Sequence, residues 1–286
     1  MKKKILGFVI MISTPLCCIA QDWHVGATAG ISNYSGDLSE KRVDFGYTRP
    51  MIGLFVKKDI NRYLTLRAGG TFGMVAANDR TNSSIALQSR NLSFSSPIWE
   101  GHLGAELNFF DIDEKGFTPY LFGGVALFSF YPTAKDSLGN KIRLRRLSTE
   151  GQGLPQYPER GNQYSLYQVS IPFGAGFKYL FTDRLTLGFE IGLRATFTDY
   201  LDDVSTTYVD QNTLLAERGQ LAVDYAYRGD EPDTKGIPGT YPQDGAQRGS
   251  AKYKDWYTFT GLTIMYRIGG GSDGRRSTNF SKCFKM

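Results

Sequence analysis

His24 and His102, the two histidines of this 286-residue chain, are the side chains best placed to act as a general base near neutral pH. Hydrolytic or acyl-transfer chemistry would pair such a base with a nucleophile. Neither histidine has a serine two residues on; Gly26 and Gly104 stand there instead. Paired acids are a second route. The run Thr198-Asp-Tyr-Leu-Asp-Asp-Val-Ser205 carries Asp199, Asp202 and Asp203, which could bind calcium or activate water, although a solvated turn is the plainer reading. Arg228, Gly229 and Asp230 spell an adhesion tripeptide inside a polar stretch, where a turn is again the better reading. The sequence has no Cys/His spacing for zinc and no glycine-rich phosphate loop after a strand. It therefore predicts no catalytic residue, no metal site and no cofactor.

The elements that would position these residues have a period of two. Over residues 185–198, Leu185, Leu187, Phe189, Ile191, Leu193, Ala195 and Phe197 alternate with Thr186, Gly188, Glu190, Gly192, Arg194, Thr196 and Thr198. Alternate side chains of a strand face opposite ways, so this is a long two-faced strand. Residues 99–109, 167–179, 64–76 and 23–31 repeat the pattern. Residues 47–57 and 256–268 have mixed faces, and residues 117–130 are apolar on both, giving eight strands in all. Connections alternate in length. Residues 59–62, 111–116 and 182–184 are short turns, whereas 32–45, 77–96, 132–163 and 200–252 are long and polar.

This predicts an all-β fold, an eight-stranded antiparallel up-and-down transmembrane β-barrel with short periplasmic turns and long external loops. A soluble lipocalin-like barrel would alternate too. Against it stand strands that reach the roughly 9–11 residues a bilayer requires, and aromatics at strand ends such as Trp23, Trp99, Tyr167, Tyr179 and Trp256. The polar face is also rich in glycine, which makes room inside a narrow barrel for long charged side chains. That face carries Arg67, Glu100, Glu106, Lys178, Glu190 and Arg194, three of each sign, with His102 and Gln168. A proton relay or channel is one reading; a balanced ion-pair plug is the favoured one, because buried charges persist when paired.

The chain begins as an export signal. Lys2, Lys3 and Lys4 precede an apolar run, and Cys18-Ile19-Ala20 has the small-x-small form of a cleavage site, so residues 1–20 are expected to be a signal peptide and 21–268 the barrel. Removing the leader takes three of the 33 basic residues and no acidic one, leaving 30 against 28, with no electrostatic case for nucleic acid. It also takes Cys17 and Cys18, leaving Cys283 without a disulfide partner. Residues 269–286 read as a glycine linker leading to a basic periplasmic tail with Arg275 and Arg276. This tail and the turn carrying Asp111, Asp113 and Glu114 are the candidate partner-binding residues on the periplasmic face.

The ordered segments Ile31-Ser-Asn-Tyr-Ser-Gly-Asp-Leu38, Thr118-Pro-Tyr-Leu-Phe-Gly-Gly124, Thr149-Glu-Gly-Gln-Gly153, Ile171-Pro-Phe-Gly-Ala-Gly-Phe-Lys178 and residues 198–205 resemble the PorG-like outer-membrane barrels of Bacteroidota. The resemblance runs over roughly residues 21–268. It implies a non-enzymatic part of the type IX secretion machinery in the outer membrane, in contact with lipid. It further implies association with a periplasmic ring made by a lipoprotein and its partner, needed for substrate export. A structural, adhesion or porin-like barrel outside any secretion system is the alternative.

Overall fold

The computed structural model describes residues 23–39, 45–232 and 234–268. The expected signal peptide, Cys283, and the tail with Arg275 and Arg276 lie outside the described residues. Eight long strands form the barrel: β1 (Trp23–Ser35), β2 (Arg49–Asp59), β3 (Leu64–Asn78), β4 (Ser93–Asn108), β5 (Phe117–Phe130), β8 (Tyr167–Leu180), β9 (Leu185–Thr196) and β10 (Trp256–Ile268). Each pairs antiparallel with its neighbours in chain order, skipping a small external hairpin of β6 (Thr133–Lys135) and β7 (Lys141–Arg143). Pairing of β1 with both β2 and β10 joins the first strand to the last and closes the barrel. Closure matters because an open edge would leave unpaired peptide groups in hydrocarbon.

The outer face settles the solvent. Leu54, Leu127 and Leu262, on three different strands, are 71%, 70% and 68% exposed. Ile52, Leu103, Val125, Ile171, Phe189, Ile191 and Ile264 continue the exposed apolar belt around the barrel. A soluble monomer does not carry an apolar surface on every stave, so the belt faces lipid and the protein is an outer-membrane barrel. Among the described residues no helix is long and apolar enough to cross a membrane.

Several strands outrun the sequence reading at their external ends. β1 continues to Ser35, β3 to Asn78, and β4 begins at Ser93 rather than at Trp99. There the inward residues turn apolar (Val75, Ala77, Phe94, Ile98), so the polar-apolar alternation that marks a strand fades while the backbone pairing continues. The long loops are folded. They hold α1 (Ile85–Arg90), α3 (Gln211–Arg218) and α4 (Gln220–Ala226), and a short α2 (Ile112–Lys115) fills one periplasmic turn. The Asp210 carboxylate caps α3 by accepting the Thr213 N–H at 2.8 Å. Leu154, Val209, Leu214, Ala222, Val223 and Ala226 form a small separate core under these loops.

The belt predicts how the fold responds to charge. Ile191→Arg, near the middle of β9, should cost about 2–4 kcal/mol of folding stability in liposomes. Equal stability of variant and wild type in a urea-unfolding series would place Ile191 away from the bilayer.

Candidate functional site

Three regions of the molecule concentrate charge: the barrel interior, the external cap and the periplasmic mouth. In the interior, Arg67, Glu100, His102, Glu106, Lys178, Glu190 and Arg194 all point inward and are buried, as the alternation predicts. Gln168 does not join them; its amide reaches the Ser165 carbonyl at the external end.

The interior carries one charge that the sequence reading missed. Lys57 is 2% exposed and lies 2.6 Å from Glu106 Oε1. The same carboxylate meets Lys178 Nζ at 2.5 Å and Arg67 Nη1 at 3.2 Å. Arg67 also forms a two-pronged contact with Glu190, at 2.7 and 3.1 Å, and the Tyr120 hydroxyl donates to Glu190 Oε2 at 2.8 Å. This layer therefore sets three cations against two carboxylates, not the balanced count expected. Above it, Arg194 holds Glu100 through contacts of 3.1 and 3.3 Å, and the Tyr257 hydroxyl donates to Glu100 at 2.8 Å. His102 Nδ1 stands 3.4 Å from Glu100.

Lys57 escaped notice because β2 points Met51 and Phe55 inward beside it, so neither face of that strand reads as polar. The same fact corrects the role of the interior glycines. A Cβ at Gly176 would lie 2.4 Å from the Tyr120 ring, and one at Gly73 would lie 2.7 Å from the Phe259 ring. At these positions glycine admits inward aromatics rather than long charged side chains. The aromatics in turn flank the charges: Arg67 lies 4.5 Å from the Phe122 ring centre and Arg194 4.5 Å from that of Phe259.

Over the external mouth, Tyr34, Val75, Phe94, Ile98, Phe128, Phe130, Tyr257 and Phe259 pack with Leu38, Leu201 and Val204 of the loops into one apolar plug. Buried polar groups lie on it. Asp199, Asp202 and Asp203, read from sequence as a solvated turn, are 3%, 1% and 1% exposed. The Asp203 carboxylate accepts from the Tyr164 and Thr149 hydroxyls at 2.6 and 2.7 Å. Glu150 accepts from the Ser205 and Thr206 amides and pairs with Arg248 at 2.9 Å. Arg90 pairs with Asp79 at 2.7 Å and reaches the Asp37 carbonyl at 3.0 Å. Burial pushes the carboxyls of Asp199 and Asp203 up to about 6. It also raises Asp202 and Asp255 well above the usual range, helped by their negative neighbours Asp37 for the first and Asp202 and Asp199 for the second. The arginines and Asp79 of this cap were not legible beforehand, since they lie in loops far apart in sequence. Among the described residues no group of three His, Cys, Asp or Glu side chains could hold a metal ion.

At the periplasmic mouth a cavity of about 280 Å³ opens between the turns. His24 lies on its wall with Nε2 2.8 Å from the Asp59 carboxylate. Two of the residues expected to meet a partner also have contacts within the chain. Asp113 pairs with Arg267 at 2.8 Å, and Asp111 caps α2 by accepting the Asp113 N–H at 3.0 Å while lying 3.6 Å from Arg62. Glu114 remains largely exposed.

A family model described as a domain of unknown function (DUF6089) matches residues 3–140. No curated protein matches the chain in sequence. Similar solved structures include Neisserial surface protein A, at 9% identity and a TM-score of 0.43, covering 86% of this chain and 97% of that one. Ail, the attachment invasion locus protein of Yersinia pestis, was solved in complex with the heparin analogue sucrose octasulfate; it is 8% identical, with a TM-score of 0.39 and coverage of 87% and 100%. The outer membrane protein OprG of Pseudomonas aeruginosa is 9% identical, with a TM-score of 0.38 and coverage of 86% and 96%.

The odd cation makes the interior testable by a matched pair. Glu190→Ala leaves three buried cations around one carboxylate and should cost about 3–5 kcal/mol. Lys57→Met leaves Arg67 and Lys178 opposite Glu106 and Glu190, and should stay within about 1 kcal/mol of the parent. Heat-modifiability on gels reads both. Equal losses would mean that the charge count does not govern interior stability.

Proposed function

We propose that this barrel is a non-enzymatic outer-membrane component of a type IX secretion machine that anchors or positions a periplasmic ring. The observation that carries the reading is the convergence of three of its five ordered motifs. Tyr34 of the first segment, Thr149 and Glu150 of the third, and Asp202, Asp203 and Ser205 of the last meet in one hydrogen-bonded cluster. Residues so far apart in sequence act as one structural unit, which supports treating the motifs as a set rather than as chance matches. An interior filled by ion pairs and capped by an apolar plug leaves no room to pass a folded protein, so the contribution to export would be binding. The partners would be the ring-forming lipoprotein and its companion, met on the periplasmic face through Glu114 and the tail bearing Arg275 and Arg276.

Adhesion is a second reading, favoured by the folded external cap, which presents Leu138, Ile237 and Tyr253 to the outside at 86%, 71% and 68% exposure. The two separate in a deletion strain. The secretion reading expects loss of type IX export and of ring co-purification, with bulk outer-membrane assembly intact. Glu114→Lys, which breaks no strong internal pair, should weaken ring co-purification at unchanged heat-modifiability, whereas reversing Asp113 would also break its pair with Arg267. Normal export and an intact ring, with attachment lost, would leave the adhesion reading standing.

A further inference from the structure

The external cap contains a hydrogen-bond arrangement that does not close without an added proton. The Tyr34 hydroxyl lies 2.6 Å from Asp202 Oδ2 and 3.0 Å from Asp255 Oδ1. A phenol carries one proton and can donate to one of them. The second contact is a hydrogen bond only if that carboxyl is itself protonated and donates to the Tyr34 oxygen. The other oxygens are already committed as acceptors: Asp202 Oδ1 takes the Val204 N–H at 2.9 Å, and Asp255 Oδ2 takes the Leu201 N–H at 2.8 Å. Both aspartates are 1% exposed and Tyr34 is 3% exposed, so the group is shut off from bulk solvent. Two buried carboxylates on one phenol would repel at close range with little screening.

We propose that the Asp202–Tyr34–Asp255 group is a proton-dependent clasp that holds the external cap closed on the barrel in acid and releases it as pH rises. Its parts come from three places: Tyr34 from the external end of β1, Asp202 from the segment after β9, and Asp255 from the residue before β10. It therefore ties both ends of the longest loop to the first strand. Leu201 and Val204 beside it belong to the apolar plug, so loosening the clasp loosens the plug.

The neighbours do not remove the need for the proton. Arg90 is taken by Asp79 and backbone carbonyls, and Arg248 by Glu150 and the carbonyls of Asp203 and Ala226. Asp37 adds negative charge beside Asp202 while accepting the Ser250 N–H. Asp199, with Lys254 near it, adds more beside Asp255, and Asp203 lies in the same buried segment. These aspartates are raised by burial in the same direction as the clasp. Carboxyls held above their unfolded value of about 3.9 stabilise the fold most fully below that pH. The contribution is lost as pH climbs through the folded values, about 6 for Asp199 and Asp203, the clasp pair being raised in the same direction.

The test uses the full chain in detergent or nanodiscs with Cys17, Cys18 and Cys283 changed to Ser and two nitroxide labels on exposed cap positions, Leu138→Cys and Ile237→Cys. Pulsed electron spin resonance then reads the distance distribution from about pH 5 to about pH 9, a range spanning the raised carboxyls. The expected result is a narrow distribution in acid that broadens reversibly as pH rises within that range. Asp202→Asn, whose carbonyl oxygen keeps the Val204 N–H while its amide N–H donates to the Tyr34 oxygen in place of the added proton, carries no charge and should stay narrow to the alkaline end. Asp255→Asn is the second variant, with the same expectation, should the first not fold. A wild-type distribution that is constant over the range, or a folded Asn variant that broadens at the same pH as wild type, would overturn the clasp.

Discussion

Glu106 sits at the meeting point of Lys57, Arg67 and Lys178, and this one carboxylate ties four staves of the barrel across its lumen: β4 to β2, β3 and β8. Arg67 extends the tie to β9 through Glu190, and Tyr120 brings in β5. A closed eight-stranded barrel has an interior just wide enough for side chains, so the charges that keep its inner face polar must neutralise one another directly. Removing a single carboxylate therefore matters more than the number of pairs suggests, since the remaining cations have little water to turn to.

That requirement explains the mixed character of the lumen. Charges occupy the middle, where β3, β4, β8 and β9 contribute alternating polar positions, while β5 and β10 supply aromatic rings that fill the space between them. Rings such as Tyr120 and Tyr257 serve twice, as bulk and as hydroxyl donors to Glu190 and Glu100. Toward the outside the same strands outrun the bilayer and exchange polar inward residues for apolar ones, giving the loops a surface on which to fold.

Legibility from sequence follows the same physics. β9 was read almost residue for residue, because lipid on one side and charge on the other write opposite chemistries on alternate positions. β2, β5 and β10 gave existence and length without facing, since Met51, Phe55, Tyr120, Phe122 and Phe259 point inward and look like lipid-facing residues. Lys57 was lost for that reason. The cap was less legible still. Asp199, Asp202 and Asp203 carry every local mark of a solvated turn, and what buries them is Tyr34, Glu150 and Arg248, brought together by closure of the barrel. The capping aspartate of α3 at Asp210, three residues before Thr213, was a local signal that could have revealed a helix in the longest loop.

The two ends of the molecule meet the cost of buried charge by different routes. At the periplasmic mouth opposite charges pair one to one around a cavity: His24 with Asp59, Arg62 with Asp111, Arg267 with Asp113. The exposed Arg62 tolerates the loss of its partner, because solvent replaces it. At the external end, among the described residues, carboxyls outnumber the two buried arginines, Arg90 and Arg248, and solvent is excluded by the apolar plug. A guanidinium does not give up its proton, but a carboxyl readily accepts one. An excess of acids can thus be buried at the price of protonation, where an excess of arginines could not.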